Sequence, residues 1–164
     1  MRLLPERPFP PYAYLPGRDP HPTRDTDGHS FGTAETPPPY VEPARWREST
    51  EYLWGVDLYN HGFLWEAHEA WESLWHVAKR EPEQASFLQG LIQCAAASLK
   101  IRMRQPTGLQ RLSALGLAKL DAVAHAHAGR YMGVDLNEFT RSMREFVASS
   151  PTSIDARPRL ELSD

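Results

Sequence analysis

The stretch NHGFLWEAHEAWESLWH, residues 60–76, holds both a helix stop and the helix that follows it. Asn60-His61-Gly62 suits the end of one helix, because glycine takes the left-handed conformation that closes a last turn. After it the apolar residues recur at helical spacing. At about 100° per residue, with Glu66 at zero, Ala67, Trp71, Leu74 and Ala78 gather near roughly 80–140°. Leu64 and Trp75 widen that sector to roughly 180°, which makes it the core face. His68, Glu69, Glu72 and His76 fall at roughly 200–300°, and Glu66 lies beyond them, near the side opposite the core. This segment reads as an amphipathic helix over roughly 63–79, folded back on a helix over roughly 48–60 as an αα-hairpin.

Outward from the hairpin the pattern stays helical. Glu81-Pro82-Glu83 opens a third helix, with proline in the first turn and acids near the N-terminus. Leu88, Leu91, Ile92, Ala95 and Leu99 supply its apolar stripe. Gln105-Pro106-Thr107-Gly108 breaks it. A fourth helix over roughly 108–128 places Leu109, Leu112, Leu115, Ala118 or Lys119, and Ala122 on one face, and Gly129 closes it. Asp135-Leu-Asn-Glu138 has capping-box spacing and opens a fifth, with Phe139, Met143 and Phe146 as its stripe. No window reads as a strand pair. The expected fold is all-α, a compact bundle of about five helices that begins with the hairpin. Such a hairpin also resembles a tetratricopeptide unit, but no second copy appears at a period of about 34 residues.

Composition divides the chain into residues 1–45, a helical domain at 46–149 and a flexible tail at 150–164. The first segment holds eleven of the fifteen prolines. Proline removes backbone donors and blocks helix. Disorder and an extended arm draped over the domain both fit. Phe9, Tyr12, Tyr14, Phe31 and Tyr40 favour the arm, because disordered tails are poor in aromatic residues.

Bulk properties exclude several classes. The 164 residues are 41% hydrophobic with a net charge of −3, which fits one domain and does not suit a protein that grips nucleic-acid phosphates. The single cysteine, Cys94, builds no disulfide framework. The proline-broken N-terminus has no signal-like apolar stretch, and no run of about 18 apolar residues suggests a membrane span. A soluble cytoplasmic protein is expected. There is no glycine-rich phosphate loop, serine elbow or cysteine zinc motif. Lys100, Arg102, Arg104 and Arg111 read as a solvated helix end, and His125 and His127, two apart, face different ways.

The chemistry concentrates on the second helix. His68 and Glu72 are four apart, Glu72 and His76 four apart, and Glu69 three before Glu72, so these side chains are neighbours on one ridge. Imidazole and carboxylate at this spacing bind Zn, Mn or Fe, or act as an acid–base pair when burial tunes them. The metalloprotease pattern His-Glu-x-x-His is incomplete, because Glu72 stands where its second histidine belongs. The other reading of the ridge is a solvated helix face.

Asp57-Leu-Tyr-Asn-His-Gly-Phe-Leu-Trp-Glu-Ala-His-Glu-Ala-Trp-Glu-Ser-Leu-Trp75, followed by Phe87-Leu-Gln-Gly-Leu-Ile-Gln93, resembles the uncharacterised bacterial family known as domain of unknown function 309, over roughly residues 50–125. Pro20-His-Pro-Thr-Arg-Asp-Thr-Asp-Gly-His-Ser30 resembles an extension found in one branch of that family. The resemblance implies a small helical bundle and no activity. It groups Glu66, His68, Glu69, Glu72 and Trp75 as one motif. Gln89 and Gln93, four apart on the third helix, are expected to meet the acidic ridge, together with Lys100, because buried amides need partners.

Two functional readings follow. In the first, His68, Glu69 and Glu72 are catalytic or metal-ligating, with His21 and His29 as further metal ligands from the arm. Glu66, Asp57, His61, Gln89, Gln93 and Arg24 line a ligand site. A divalent transition metal is the implied cofactor, a small molecule the partner, and hydrolase-like chemistry the outcome. In the second, the chain is a non-enzymatic protein-interaction module and the His/Glu/Gln cluster a structural hydrogen-bond network. A homodimer with an exchanged arm is compatible with either.

Overall fold

The computed structural model describes residues 1–164. The five expected helices form: α1 (Thr50–Asn60), α2 (Leu64–Ala78), α3 (Pro82–Arg102), α4 (Pro106–Ala126) and α5 (Leu136–Ala148). α1 packs on α2, α2 on α3, α3 on α4 and α4 on α5, so neighbours in sequence are neighbours in space. None of the helices is long and apolar enough to cross a membrane.

The hairpin that begins the bundle is set by its turn. Gly62 sits at φ +84°, which a side chain would disfavour. The Phe63 amide then donates to the Leu58 carbonyl at 2.9 Å and the Gly62 amide to Tyr59 at 3.2 Å, the paired bonds of a Schellman close. α2 buries Ala67, Trp71, Leu74 and Ala78 as its spacing predicts. These pack with Tyr52, Tyr59, Phe87, Leu88, Leu91, Leu120, Leu136 and Met143 in one continuous core. Asp135 caps α5, its carboxylate accepting from the Glu138 amide at 3.0 Å.

α3 and α4 approach closely at Gly90 and Gly116. A Cβ on Gly90 would stand 2.7 Å from the Leu120 side chain, and one on Gly116 2.9 Å from the Gly90 carbonyl oxygen. This approach selects the buried face of α4, which is Leu109, Ser113, Gly116, Leu117, Leu120, Val123 and Ala124. The expected stripe through Leu115, Ala118 and Ala122 is therefore displaced around the helix, and Leu115 is 44% exposed. A glycine carries no hydropathy signal, so the periodic pattern could not weight it.

Two further differences concern segments between and after the helices. Residues 130–135 make a small antiparallel pair, β1 (Arg130–Tyr131) and β2 (Val134–Asp135), where no strand was expected. It is only two residues per strand, too short for an alternating pattern. The tail expected to be flexible is instead folded onto the bundle. Leu160 is 3% exposed, Asn60 exchanges two hydrogen bonds with the Leu160 backbone at 2.9 and 2.8 Å, and Arg157 lies over the Tyr59 ring at 4.7 Å.

The proline-rich segment lies along α1 and α2. Asp57, 1% exposed, accepts the backbone amides of Leu3 and Leu4 at 2.8 Å each. Phe9 stacks against Trp54 and Phe63, with ring centroids 5.5 and 4.8 Å away, and the Arg2 guanidinium lies over its ring, 4.1 Å from the centroid. Tyr14 is buried edge-on against Trp65. Phe31 and Tyr40 stay about half exposed, so only the first part of the arm buries its rings.

Candidate functional site

α2 begins one residue after Phe63 and carries the acidic side chain Glu66 in its first turn, where the helix dipole favours a negative charge. Glu66 is not on an open face. It is 6% exposed, because the arm lies over it. Its Oε1 accepts from the Tyr14 amide at 2.8 Å and from His29 Nε2 at 2.9 Å. A carboxylate oxygen only accepts, so Nε2 carries the proton in this pair. His29 is 3% exposed at its side chain, with Nδ1 2.8 Å from the Ser30 hydroxyl and its ring tilted against Tyr12. Glu66 Oε2 has no hydrogen-bond partner.

One helical step away the half-buried ridge closes on itself. Donor atoms of His68, Glu69 and Glu72 all lie within 4.8 Å of one another. His68 Nε2 is 3.6 Å from Glu72 Oε2, and Nδ1 is 3.2 Å from Glu69 Oε1, in a direction that does not complete a hydrogen bond. Burial works against protonation of His68 and is the largest single influence on it. The Glu69 and Glu72 carboxylates together outweigh burial and hold its pKa above the usual histidine value.

Between this ridge, α1 and the arm lies a cavity of about 710 Å³. Five carboxylates reach its wall, those of Glu35, Glu51, Glu66, Glu69 and Glu72. Against them stand the guanidinium of Arg7, already paired with Glu51 at 2.7 Å, and the imidazoles of His29 and His76. Trp54 and Trp65 add aromatic surface, and Thr23, Ser30, Thr33 and Thr36 add hydroxyls from the arm. The segment 33–38 separates it from a second cavity of about 540 Å³, which shares Arg7, Glu35 and Glu51.

Residues 52–112 match the family model described as Domain of unknown function (DUF309). This segment is a DUF309 domain. It runs from α1 into α4 and contains the whole of α2, so His68, Glu69 and Glu72 belong to the DUF309 segment. The arm that roofs the cavity, and with it His29 and Glu35, lies outside the match. No curated protein and no solved structure matches the chain.

Of the residues singled out by sequence, the DUF309 domain brings His68, Glu69 and Glu72 together. Glu66 and His29 pair beside them, in the cavity wall, rather than joining the three. The expectation that Glu66 points away from the core side is corrected, since the arm supplies a second layer that a helical wheel does not contain. Asp57 is corrected too: both of its oxygens are taken by Leu3 and Leu4, which leaves no place for a ligand. His61 is an exposed turn residue whose Nδ1 donates to the Asp57 carbonyl at 2.8 Å and whose ring meets Phe9.

His21 turns its Nδ1 toward the amides of Thr23 and Arg24, at 3.3 Å each, and packs against Trp65, so it is not in the metal-like group. Arg24 is exposed. Gln93 faces α4, where its Oε1 accepts from Lys119 Nζ at 3.1 Å, and neither Gln89 nor Gln93 lines the cavity. Lys100 donates to Gln105 at 2.9 Å instead of reaching α2. The buried amide of this bundle is Gln84, which donates to the Val41 carbonyl at 2.9 Å. Sequence reasoning did not single out Glu35, Glu51 or Arg7. They are far apart along the chain and no periodic pattern links them.

Proposed function

We propose that the DUF309 domain and its arm form a small-ligand-binding protein with hydrolase-like chemistry, in which His68, Glu69 and Glu72 hold a divalent transition metal ion. The observation that carries this reading is the convergence of three donor groups within 4.8 Å, two of them in the wall of a cavity of about 710 Å³. One imidazole and two carboxylates suit Zn, Mn or Fe, and three protein ligands leave a position open for water or substrate. A metal held there would supply Lewis acidity and an activated water at neutral pH. The protein's own part is to orient the ligands along one helix ridge and to keep the cavity roofed by the arm. The volume lies within the usual range of roughly 300–1,000 Å³ for ligand sites.

The test is elemental analysis of tag-free protein beside a His68→Ala/Glu69→Ala variant. Near-stoichiometric Zn, Mn or Fe that disappears in the variant supports the reading. The three side chains pair only with one another among the ion pairs of the chain, so the variant is expected to fold with little loss. Half-exposed pairs of this kind contribute only about 0.2–1 kcal/mol. Absence of metal uptake by wild type, even after incubation with Mn or Zn, would sink the metal assignment.

A non-enzymatic interaction module is the second reading. It draws support from Asp57 and Glu66, whose carboxylates accept backbone amides of the arm. Under that reading a large drop in melting temperature accompanies the double variant, with no metal in either protein.

A further inference from the structure

We infer that Ser30 is a nucleophile activated by His29, and that the cavity beneath the arm hydrolyses small uncharged carboxylic esters without a metal. The inference shares the cavity of the ligand-binding reading above but not its metal ion. Its starting point is a relay of three side chains. Ser30 Oγ is 2.8 Å from His29 Nδ1, and His29 Nε2 is 2.9 Å from Glu66 Oε1. Nε2 carries the proton that Glu66 accepts, so the neutral imidazole leaves Nδ1 bare to accept the Ser30 hydroxyl proton. A hydroxyl on an imidazole base, with the base on a buried carboxylate, is an activated nucleophile, recognised by geometry rather than by sequence position. Here the two ring nitrogens exchange the parts they play in the trypsin-like proteases, where Nε2 faces the serine.

The arm holds the three in place and leaves the serine open. The His29 and Glu66 side chains are 3% and 5% exposed, whereas Ser30 keeps part of its surface, and all three line the cavity. The His29 amide donates to the Tyr12 hydroxyl at 3.1 Å, and the Tyr12 ring packs on the imidazole. The Ser30 amide donates to the Pro22 carbonyl at 2.9 Å. That turn needs glycine at 28, where a Cβ would stand 2.3 Å from the His21 carbonyl oxygen. Two residues beyond Ser30 the Gly32 amide donates to no backbone carbonyl, and the Thr33 hydroxyl lines the wall, so donors for a developing oxyanion are close in the chain to the nucleophile. In the reaction Ser30 Oγ bonds to the acyl carbon as its proton passes to His29 Nδ1. The bond from that carbon to the alcohol oxygen then breaks, and the alcohol leaves with the proton. Water repeats the sequence on acyl-Ser30 and releases the carboxylic acid. Glu66 touches no reacting atom; it is a positioning residue that holds the tautomer and stabilises the imidazolium.

The test uses the full chain in EDTA and an alkyl fluorophosphonate as the probe, which forms an Oγ–P bond with an activated serine as fluoride leaves. Peptide mapping is expected to place one adduct per chain on Ser30. It should form at least about a hundredfold faster than in the urea-unfolded chain, the contribution of a positioned base. His29→Gln is expected to slow it about a hundredfold, and Ser30→Ala to abolish both the adduct and the hydrolysis of p-nitrophenyl butyrate. Imidazole nitrogen spectra of wild type should show His29 with its proton on Nε2, a preference that Glu66→Gln should weaken while labelling slows about tenfold. No adduct, an adduct on another residue, equal labelling of the unfolded chain, butyrate ester hydrolysis unchanged in Ser30→Ala, or a His29 proton on Nδ1 would each overturn the inference. If the variants do not fold, the adduct site, the native-to-unfolded ratio and the wild-type spectra decide. Labelling in EDTA of a protein that takes up no metal would leave the serine centre standing while the metal reading falls; metal uptake without labelling would do the reverse.

Discussion

Asp57→Ala should release the start of the arm. The Asp57 carboxylate is 1% exposed and accepts two backbone amides at 2.8 Å, with Arg2 Nε 3.8 Å from the same group. Hydrogen bonds to a charged group contribute about 1.5–3 kcal/mol each. Two such bonds set an upper figure of about 3–6 kcal/mol. The variant loses less than that, because the freed amides of Leu3 and Leu4 regain water when the segment lifts, and a buried charge is removed. A net loss of roughly 2–4 kcal/mol is expected, which for a chain of this size lowers the melting temperature by roughly 5–12 °C. The second consequence is local. Arg2 lies on the released segment and is followed by Leu3, whereas Pro8 protects the bond after Arg7, so trypsin should cut after Arg2 in the variant well before it cuts the bundle. Thermal denaturation and timed proteolysis with mass spectrometry read both effects. A melting temperature within about 1 °C of wild type, with unchanged cleavage after Arg2, would refute the anchoring role. Asp57→Asn retains one acceptor and turns a donor toward the other amide, so it should fall between the two.

Other predictions come from packing. Gly90→Ala should destabilise the α3–α4 interface, since the new Cβ would stand 2.7 Å from Leu120 and 3.1 Å from the Gly116 carbonyl. Overpacking of this kind costs about 1–3 kcal/mol, measurable by urea denaturation, and an unchanged midpoint would contradict the close approach. Cys94 is 1% exposed and burial pushes its thiol up to about 12, so it should resist a thiol reagent at pH 8 in the folded protein and react at once in denaturant.

What could be read from the linear sequence follows from periodicity and punctuation. The hairpin is legible because Gly62 must take a positive φ and because Ala67, Trp71, Leu74 and Ala78 repeat at helical spacing, both local properties. The capping of α5 by Asp135 is local in the same way. The ridge of His68, Glu69 and Glu72 needed only helix geometry, since all three share one element. Tertiary structure decided everything that depends on a second layer. Glu66 is polar at a position a single helix would leave in water, and only the returning arm, some fifty residues earlier in the chain, buries it. Asp57 likewise became an anchor because Leu3 and Leu4 reach it. The face of α4 was chosen by a glycine pair that hydropathy does not register, and Gln93 turned to Lys119 on that helix rather than to α2. Spacing along one helix determines which side chains are neighbours; which of them lose water, and to what partner, is determined by chain segments that sequence proximity does not connect.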